Sequence, residues 1–397
     1  MPINYLSHPP RTADLVVVGG GVVGAATALF AARAGLRPLL IERRPALCTL
    51  TTPASTGAFR LQFDNAEELG LVRESVATFV NFAEVTSQKD YDLDLRQQGY
   101  LWVTTDDDRA DRQRALVEQQ RAWGQRDIEI VAGEDVRRRW PHVGPDAIQA
   151  RWRAGDGFLD PKALTMGFVA GSGCDVVVSC GALGFTITGD RVAGVRTAVG
   201  EITTQAVVIA AGPFSGVVSS WAGVDLPLQA ITRHKLVMPA VDLVPPDAPM
   251  TIDDDTGAHW RPALGGAYLL FTDPATPPSE PSEALPADHS FAFKLLDPSS
   301  PVAVARVSPF WARVWESGAH NWMLQSGQYD VTPDHRPLLG PTPIEGLYVN
   351  CGYSGHGIMG SPAGSRHLVD VITGRIAGED NPFSLDRTFV ERDRDIL

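Results

Sequence analysis

Three glycines set the first chemical constraint. Gly19-x-Gly21-x-x-Gly24 follows the unbroken apolar run Leu15-Val-Val-Val18 and precedes the small, apolar stretch Ala25–Ala34. In such a strand–turn–helix step, Gly19 permits the tight turn and Gly21 lets the backbone approach a pyrophosphate. Gly24 lets the helix pack closely on the strand. The helix start, with Val22 and Val23, offers free N–H groups and partial positive charge to phosphates. Glu42 lies 18 residues beyond Gly24, at the end of the second apolar strand Pro38-Leu-Leu-Ile41. A carboxylate there can hold ribose hydroxyls. Strand, helix, strand and acid in register read as one βαβ unit that binds a dinucleotide.

The remaining elements must close onto that unit. Gly35 caps the first helix. Thr49–Gly57 is rich in small and hydroxyl residues and reads as a loop. Helical spacing of apolar residues predicts helices within 66–88 and 107–126, with a short one over Glu134–Trp140 that stops before Pro141. From residue 174 the pattern turns to strands: Asp175–Ser179, which carries Val177, then Gly184–Thr188 and Val192–Arg196 around a Gly189-Asp190 turn. Ala206–Ala211 is a second fully apolar strand, ending on Gly212. Residues 239–301 are proline-rich and acidic, yet Ala267–Phe271 reads as a strand within a sheet carrying long loops. Gly346–Asn350 enters a glycine-rich turn at Gly352, Gly355 and Gly357, followed by a helix from about Pro362 to Thr373. Both Ala211-Gly212 and the Gly352–Gly357 turn are placed where they can reach the same dinucleotide.

The chain has 397 residues, 44% hydrophobic and 20% charged, with a net charge of −13. That length suits two compact domains, and the acidic balance argues against nucleic acid or an anionic membrane as partner. Four cysteines in no metal-like spacing predict buried thiols and no metal site. No apolar run is long enough to span a bilayer, and residues 1–14 do not resemble a signal peptide, so a cytoplasmic location is expected. No HExxH, Walker loop or nucleophile elbow is present, which leaves protease, kinase and hydrolase readings unsupported.

Taken together, several blocks resemble the FAD-dependent oxidoreductases of the D-amino acid oxidase superfamily, on their sarcosine and dimethylglycine oxidase/dehydrogenase side. They are Val16–Gly24, Ile41-Glu-Arg43, Ser55-x-Gly57-x-x-Arg60-x-Gln62-Phe63, Asp156–Pro161, Thr332–Gly340 and Gly352–Gly357, in family order. The resemblance implies an α/β fold: a Rossmann-like FAD-binding domain from 1–85, 150–220 and 326–397. A discontinuous α+β substrate domain with a mixed sheet would then come from 86–149 and 221–325. It implies hydride transfer from the carbon beside an amine nitrogen to flavin N5, giving an imine that is hydrolysed. The substrate would be a small amine or amino acid, with O2 or another acceptor taking the electrons.

Carried over residue by residue, the resemblance assigns Gly19, Gly21, Gly24, Glu42 and Arg43 to the adenosine diphosphate. Ser55, Thr56 and Gly57 fall on the loop near the isoalloxazine, and Gly355, His356, Gly357 and Ile358 on the turn facing its pyrimidine. Arg60 matches an arginine that holds the substrate carboxylate in sarcosine oxidases. His356, Tyr353 and Tyr268 join Arg60 as candidates for the catalytic site, with His259, Trp260 and Arg261 as possible cavity lining. The departures are equally specific. Gly327 stands where a cysteine bonds the flavin, and residues 43–58 contain no histidine, so noncovalent FAD is expected. Leu270 replaces the lysine that helps reduce oxygen, Met359 the lysine paired with the carboxylate-binding arginine, and Gly57 an arginine of the flavin loop. Simple sarcosine is therefore not the expected substrate. Oxidation of a 2-hydroxy acid or other C–O substrate, or a non-catalytic flavoprotein subunit, remain the alternatives.

Overall fold

The computed structural model describes residues 2–318 and 320–390. Its first layer is a seven-stranded sheet in the spatial order Asn4–Tyr5, Asp175–Val177, Pro38–Ile41, Leu15–Val18, Val207–Ile209, Leu347–Cys351, Leu338–Pro341. All neighbours are parallel except the last pair. A parallel sheet is covered on both faces, which explains why Leu15–Val18 is apolar without alternation. Leu15, Val17 and Leu40 pack beneath helices that include Val22–Arg33 and Pro161–Ser172, while Val16, Val18, Leu39 and Ile41 meet a three-stranded sheet. That smaller sheet is built from Ala182–Thr188, Arg191–Thr197 and Gly200–Thr203.

The second body is a mixed nine-stranded sheet drawn from two stretches of chain. Tyr100–Thr104, Glu129–Ala132 and Gln149–Arg153 join Gln229–Met238, Met250–Asp253, His259–Ala263, Gly266–Leu270, Pro278–Ser279 and Met323–Val331. Side chains alternate across a strand, so register decides which face each residue serves. Leu236, Met238, Trp260 and Leu269 point to the outer face and pack with Phe291 and Trp311 of the covering helices. Lys235 lies opposite Leu270, and Leu270 opposite His259; Arg261 lies opposite Tyr268. Lys235 and Arg261 both reach the Pro53–Thr56 backbone, which sets this second face against the first body.

Two elements differ from the sequence reading. Thr51–Ala54 forms a single helical turn inside the expected loop. The last long helix runs Gly357–Ile372, starting five residues before Pro362. Among the described residues, no helix is long and apolar enough to cross a membrane, and no group of three or more potential metal ligands occurs.

Candidate functional site

A cleft of about 1490 Å3, counting its open mouth, lies at the carboxyl ends of the parallel strands. Gly19 turns the chain at φ 118°, where a Cβ would come within 2.4 Å of the Ala210 carbonyl oxygen. A Cβ on Gly24 would stand 1.9 Å from the Gly19 oxygen, so helix and strand touch backbone to backbone. Gly21 is different. A Cβ there would meet only Thr52 Oγ1, at 3.2 Å, and the space beyond belongs to the cleft. Its glycine keeps room for a ligand rather than for protein atoms.

Helix Val22–Arg33 therefore begins in the cleft, with no acid in its first turn and no capping side chain from Gly21. Helix Gly357–Ile372 begins in the same cleft, again without a first-turn acid or a side-chain cap. Two helix N-termini thus turn their partial positive charge toward one volume, an arrangement suited to a polyanionic ligand. Glu42 is fixed beside them: Oε2 accepts from the Gly20 N–H at 2.7 Å and Oε1 from the Arg44 N–H at 2.8 Å. Each oxygen retains a lone pair for a ribose hydroxyl. Arg43 lies with its guanidinium carbon 3.9 Å above the Phe214 ring and pairs with Glu283. Val218 and Trp221 line the same cleft.

The opposite end meets the nine-stranded sheet. Leu270, Gly327, Tyr329 and Arg233 form its wall, facing Ser55, Tyr353, Gly355, Gly357 and Ile358. Gly355 adopts φ 96°, and a Cβ there would lie 2.5 Å from the Tyr329 ring. The 53–56 backbone is gripped from the second body. Lys235 Nζ donates to the carbonyls of Pro53 (3.1 Å) and Ser55 (2.7 Å). Arg261 Nε donates to that of Thr56 at 2.8 Å, and Nη2 donates to the same oxygen. The Tyr268 ring sits between the two cations, 4.4 Å from Lys235 Nζ and 4.6 Å from Arg261 Cζ. Burial, reinforced by Arg261, pushes Lys235 down to about 7.

Behind the Gly355–Gly357 turn lies a buried polar chain. Arg60 Nη2 donates to His356 Nε2 at 3.2 Å, and His356 Nδ1 lies 3.1 Å from Glu68 Oε1. These partners make the imidazole an acceptor at Nε2 and a donor at Nδ1, which describes a neutral ring of one tautomer. Arg60, Glu68 and His356 are all nearly inaccessible, at 4%, 5% and 4% exposed.

Of the cofactor candidates, Gly19, Gly21, Val22, Val23, Glu42, Arg43, Ser55, Ala211, Gly212, Gly355, Gly357 and Ile358 line the cleft. Gly24, Thr56, Gly57, Val177 and His356 lie behind it. Val177 pairs with Ile41 and its carbonyl accepts the Glu42 N–H, so it supports the acid from below. Gly57, at φ 72°, has the Leu159 oxygen 1.9 Å from a built Cβ, which leaves no room for the arginine of the resemblance. Tyr353 is among the cleft-lining residues, but its ring packs with Leu71, Leu339, Ala363 and Phe383 and its hydroxyl donates to Asn350 Oδ1 at 2.7 Å. Burial holds that phenol well above its ordinary range, so it stays protonated on Asn350. Arg60 and Tyr268 do not line the cleft. Trp260 packs in the outer core and donates to Ser308 Oγ, and His259 turns Nδ1 to the Gly257 oxygen. Sequence reasoning passed over Arg233 and Asp330, and read Gly20 and Thr52 only as members of the glycine block and of the hydroxyl-rich loop beside it.

A family model described as DAO, FAD dependent oxidoreductase, matches residues 14–371. FAD-dependent oxidoreductase domain-containing protein 1 of Xenopus laevis is 25% identical over 409 residues, spanning 92% of this chain and 80% of that protein. Sarcosine oxidase subunit beta of Arthrobacter sp is 27% identical over 393 residues, spanning 96% and 92%. Among solved structures, L-proline dehydrogenase from P. horikoshii superposes with a TM-score of 0.82 at 21% identity, covering 95% of this chain and 96% of that one. The glycine cradle, the paired helix N-termini and Glu42 fit the dinucleotide that this family binds. The chain belongs to the DAO family of FAD-dependent oxidoreductases.

Proposed function

We propose that the protein oxidises the carbon–nitrogen bond of a small amine or amino acid, with FAD held noncovalently in the cleft. The observation that carries this reading is the continuity of one cleft, from the phosphate-binding helix ends to the wall formed by Leu270, Gly327, Tyr329 and Arg233. Sarcosine and proline, named in two of the similar proteins, are both amines bearing a carboxylate. When bound, FAD accepts the two electrons and the hydrogen that leave the carbon next to nitrogen. The substrate becomes an imine, and water then adds to it.

The chain's own residues bind, orient and exclude water. Gly355, Gly357 and the following helix end offer N–H groups to negative charge gathering on the ring system. The Arg60–His356–Glu68 chain holds that turn from behind as a positioning group. Lys235 and Arg261 fix the 53–56 loop. Gly327 brings no nucleophile to the cofactor, and the nearest cleft-lining cysteine, Cys48, is buried, which pushes its thiol up to about 11. Leu270 leaves the oxygen-activating position uncharged, which favours an acceptor other than O2. The cofactor then rests mainly on segments 1–85, 150–220 and 326–397, and the amine against 86–149 and 221–325. The strands Gln149–Arg153 and Met323–Val331 hydrogen-bond into the sheet of the second group.

The test is an anaerobic screen of amines, amino acids and 2-hydroxy acids, following loss of flavin absorbance. Bleaching by an amine or amino acid supports the proposal. Bleaching by hydroxy acids alone, or by neither class, overturns it.

A further inference from the structure

We propose that the segment Ser279–Glu283 is a tie between the two walls of the cleft, and that its grip sets how slowly FAD leaves the protein. The inference rests on the noncovalent FAD proposed above and concerns retention of the cofactor, not the reaction. The walls it joins belong to different bodies. Gly327 and Tyr329, on strand Met323–Val331, line the cleft at the sheet end. Arg43 and Arg44 line it at the Glu42 end.

The segment is fastened at both ends. At its start, Pro278 and Ser279 pair with Ile231 and Ala230 of the nine-stranded sheet. Gln328, only 2% exposed, then commits its whole amide to it. Nε2 donates to Ser279 Oγ at 3.0 Å and to the Glu280 carbonyl at 2.9 Å, and Oε1 accepts the Ser282 N–H at 2.8 Å. The Ser282 hydroxyl closes a turn onto Ala284, donating to its carbonyl at 3.0 Å and accepting its N–H at 3.2 Å. Glu283 sits in that turn and reaches the first body: Oε1 pairs with Arg43 Nη2 at 2.8 Å, and Oε2 with Arg44 Nη1. Among the described residues neither arginine has another ion-pair partner. Pro277, Pro278 and Pro281 fix φ along the path, so the tie is a short, stiff spacer with little slack. A ligand lying between two bodies leaves when they part, and parting these walls pulls on Glu283. Side chains of Glu283 and Arg43 are 39% and 42% exposed, so the contact is charge-assisted yet open to water and salt. That combination makes a reversible latch.

The test is the rate at which the holoprotein gives up FAD, read as the rise of free-flavin fluorescence after dilution. Glu283→Gln should release FAD roughly 3- to 10-fold faster than the parent, with the visible spectrum of the bound flavin unchanged. Glu283→Asp keeps the charge but shortens the reach, and should fall between. Salt should speed release from the parent more than from Glu283→Gln, because only the parent has these pairs to screen. The sign of the effect is decisive. Were Glu283 only a counter-charge, its removal would free Arg43 and Arg44 for the phosphates and slow the release. Release from Glu283→Gln at the parent rate, or more slowly, overturns the tie and leaves the noncovalent FAD standing. Flavin that stays with the acid-denatured chain overturns the noncovalent reading and the tie together.

Discussion

Replacing Lys235 by methionine should change the pH dependence of stability in a way that follows from its burial. Lys235 is 3% exposed and titrates at about 7, lowered first by desolvation, then by Arg261 and Lys162, with Asp160 opposing. In the unfolded chain a lysine titrates near 10.4. Between these values the unfolded state holds a proton that the native state has released, so native stability rises with pH through this window. Below about 7 both states are protonated and the contribution is flat. The slope is at most about 1.4 kcal/mol per pH unit, giving roughly 2–3 kcal/mol between pH 7 and 9. Lys235→Met removes that gain. It also strands the Pro53 and Ser55 carbonyls, costing about 1–3 kcal/mol each at every pH, because even a neutral amine could still donate to them. Urea unfolding of parent and variant at pH 6.5 and 9, with FAD held at one saturating concentration, reads the difference. The deficit of the variant should widen by about 2–3 kcal/mol at the higher pH. An identical deficit at both values would show that Lys235 enters the fold with an ordinary pKa.

Other substitutions test other parts of the cleft. Gly21→Val should abolish FAD binding, since its side chain would project into the volume kept for phosphates; stoichiometric FAD in the purified variant would remove the dinucleotide from this position. Acid precipitation of the parent should leave the flavin in the supernatant, and colour retained by the pellet would contradict noncovalent attachment. Leu270→Lys should speed reoxidation of reduced flavin by oxygen in stopped-flow mixing, because a fixed cation in a dry cavity favours superoxide. No change on adding this charge would mean that the oxygen site lies elsewhere. Glu68→Gln should shift the flavin spectrum and slow reduction while retaining FAD, because the His356 tautomer loses its anchor; an unchanged spectrum would leave His356 as packing only.

The first body was legible because its signals are local. Glycines, apolar runs and the acid at Glu42 fall within a single βαβ unit, and each residue type answers one steric or electrostatic need. The helix start at Gly357 was missed because Pro362 reads as a first-turn proline; the helix instead carries it past its first turn. The substrate end was harder to read, since it depends on register between distant strands. Nothing near Lys235 in sequence announces Pro53 and Ser55, and nothing near Arg233 announces Gly327 opposite it. Tyr353 shows a related limit. Its place in the turn was foreseeable, but the direction of its hydroxyl depends on Asn350 and on the space left by Gly364, where a Cβ would lie 2.2 Å from that oxygen.

The two helix ends that open into the cleft, at Gly21 and Gly357, stand at opposite ends of the order in which a ribosome makes the chain. The glycine turn emerges early, yet Val207–Ile209, Leu347–Cys351 and the helix from Gly357 must all arrive before the cradle has its second half. Until Val207–Ile209 arrives, the Leu15–Val18 strand has an unpaired edge, and apolar side chains destined for the layer above it are uncovered. Loading with cofactor is therefore expected late in biogenesis. A nascent chain arrested before residue 357 should not retain FAD, whereas one that has cleared the exit tunnel past residue 372 should.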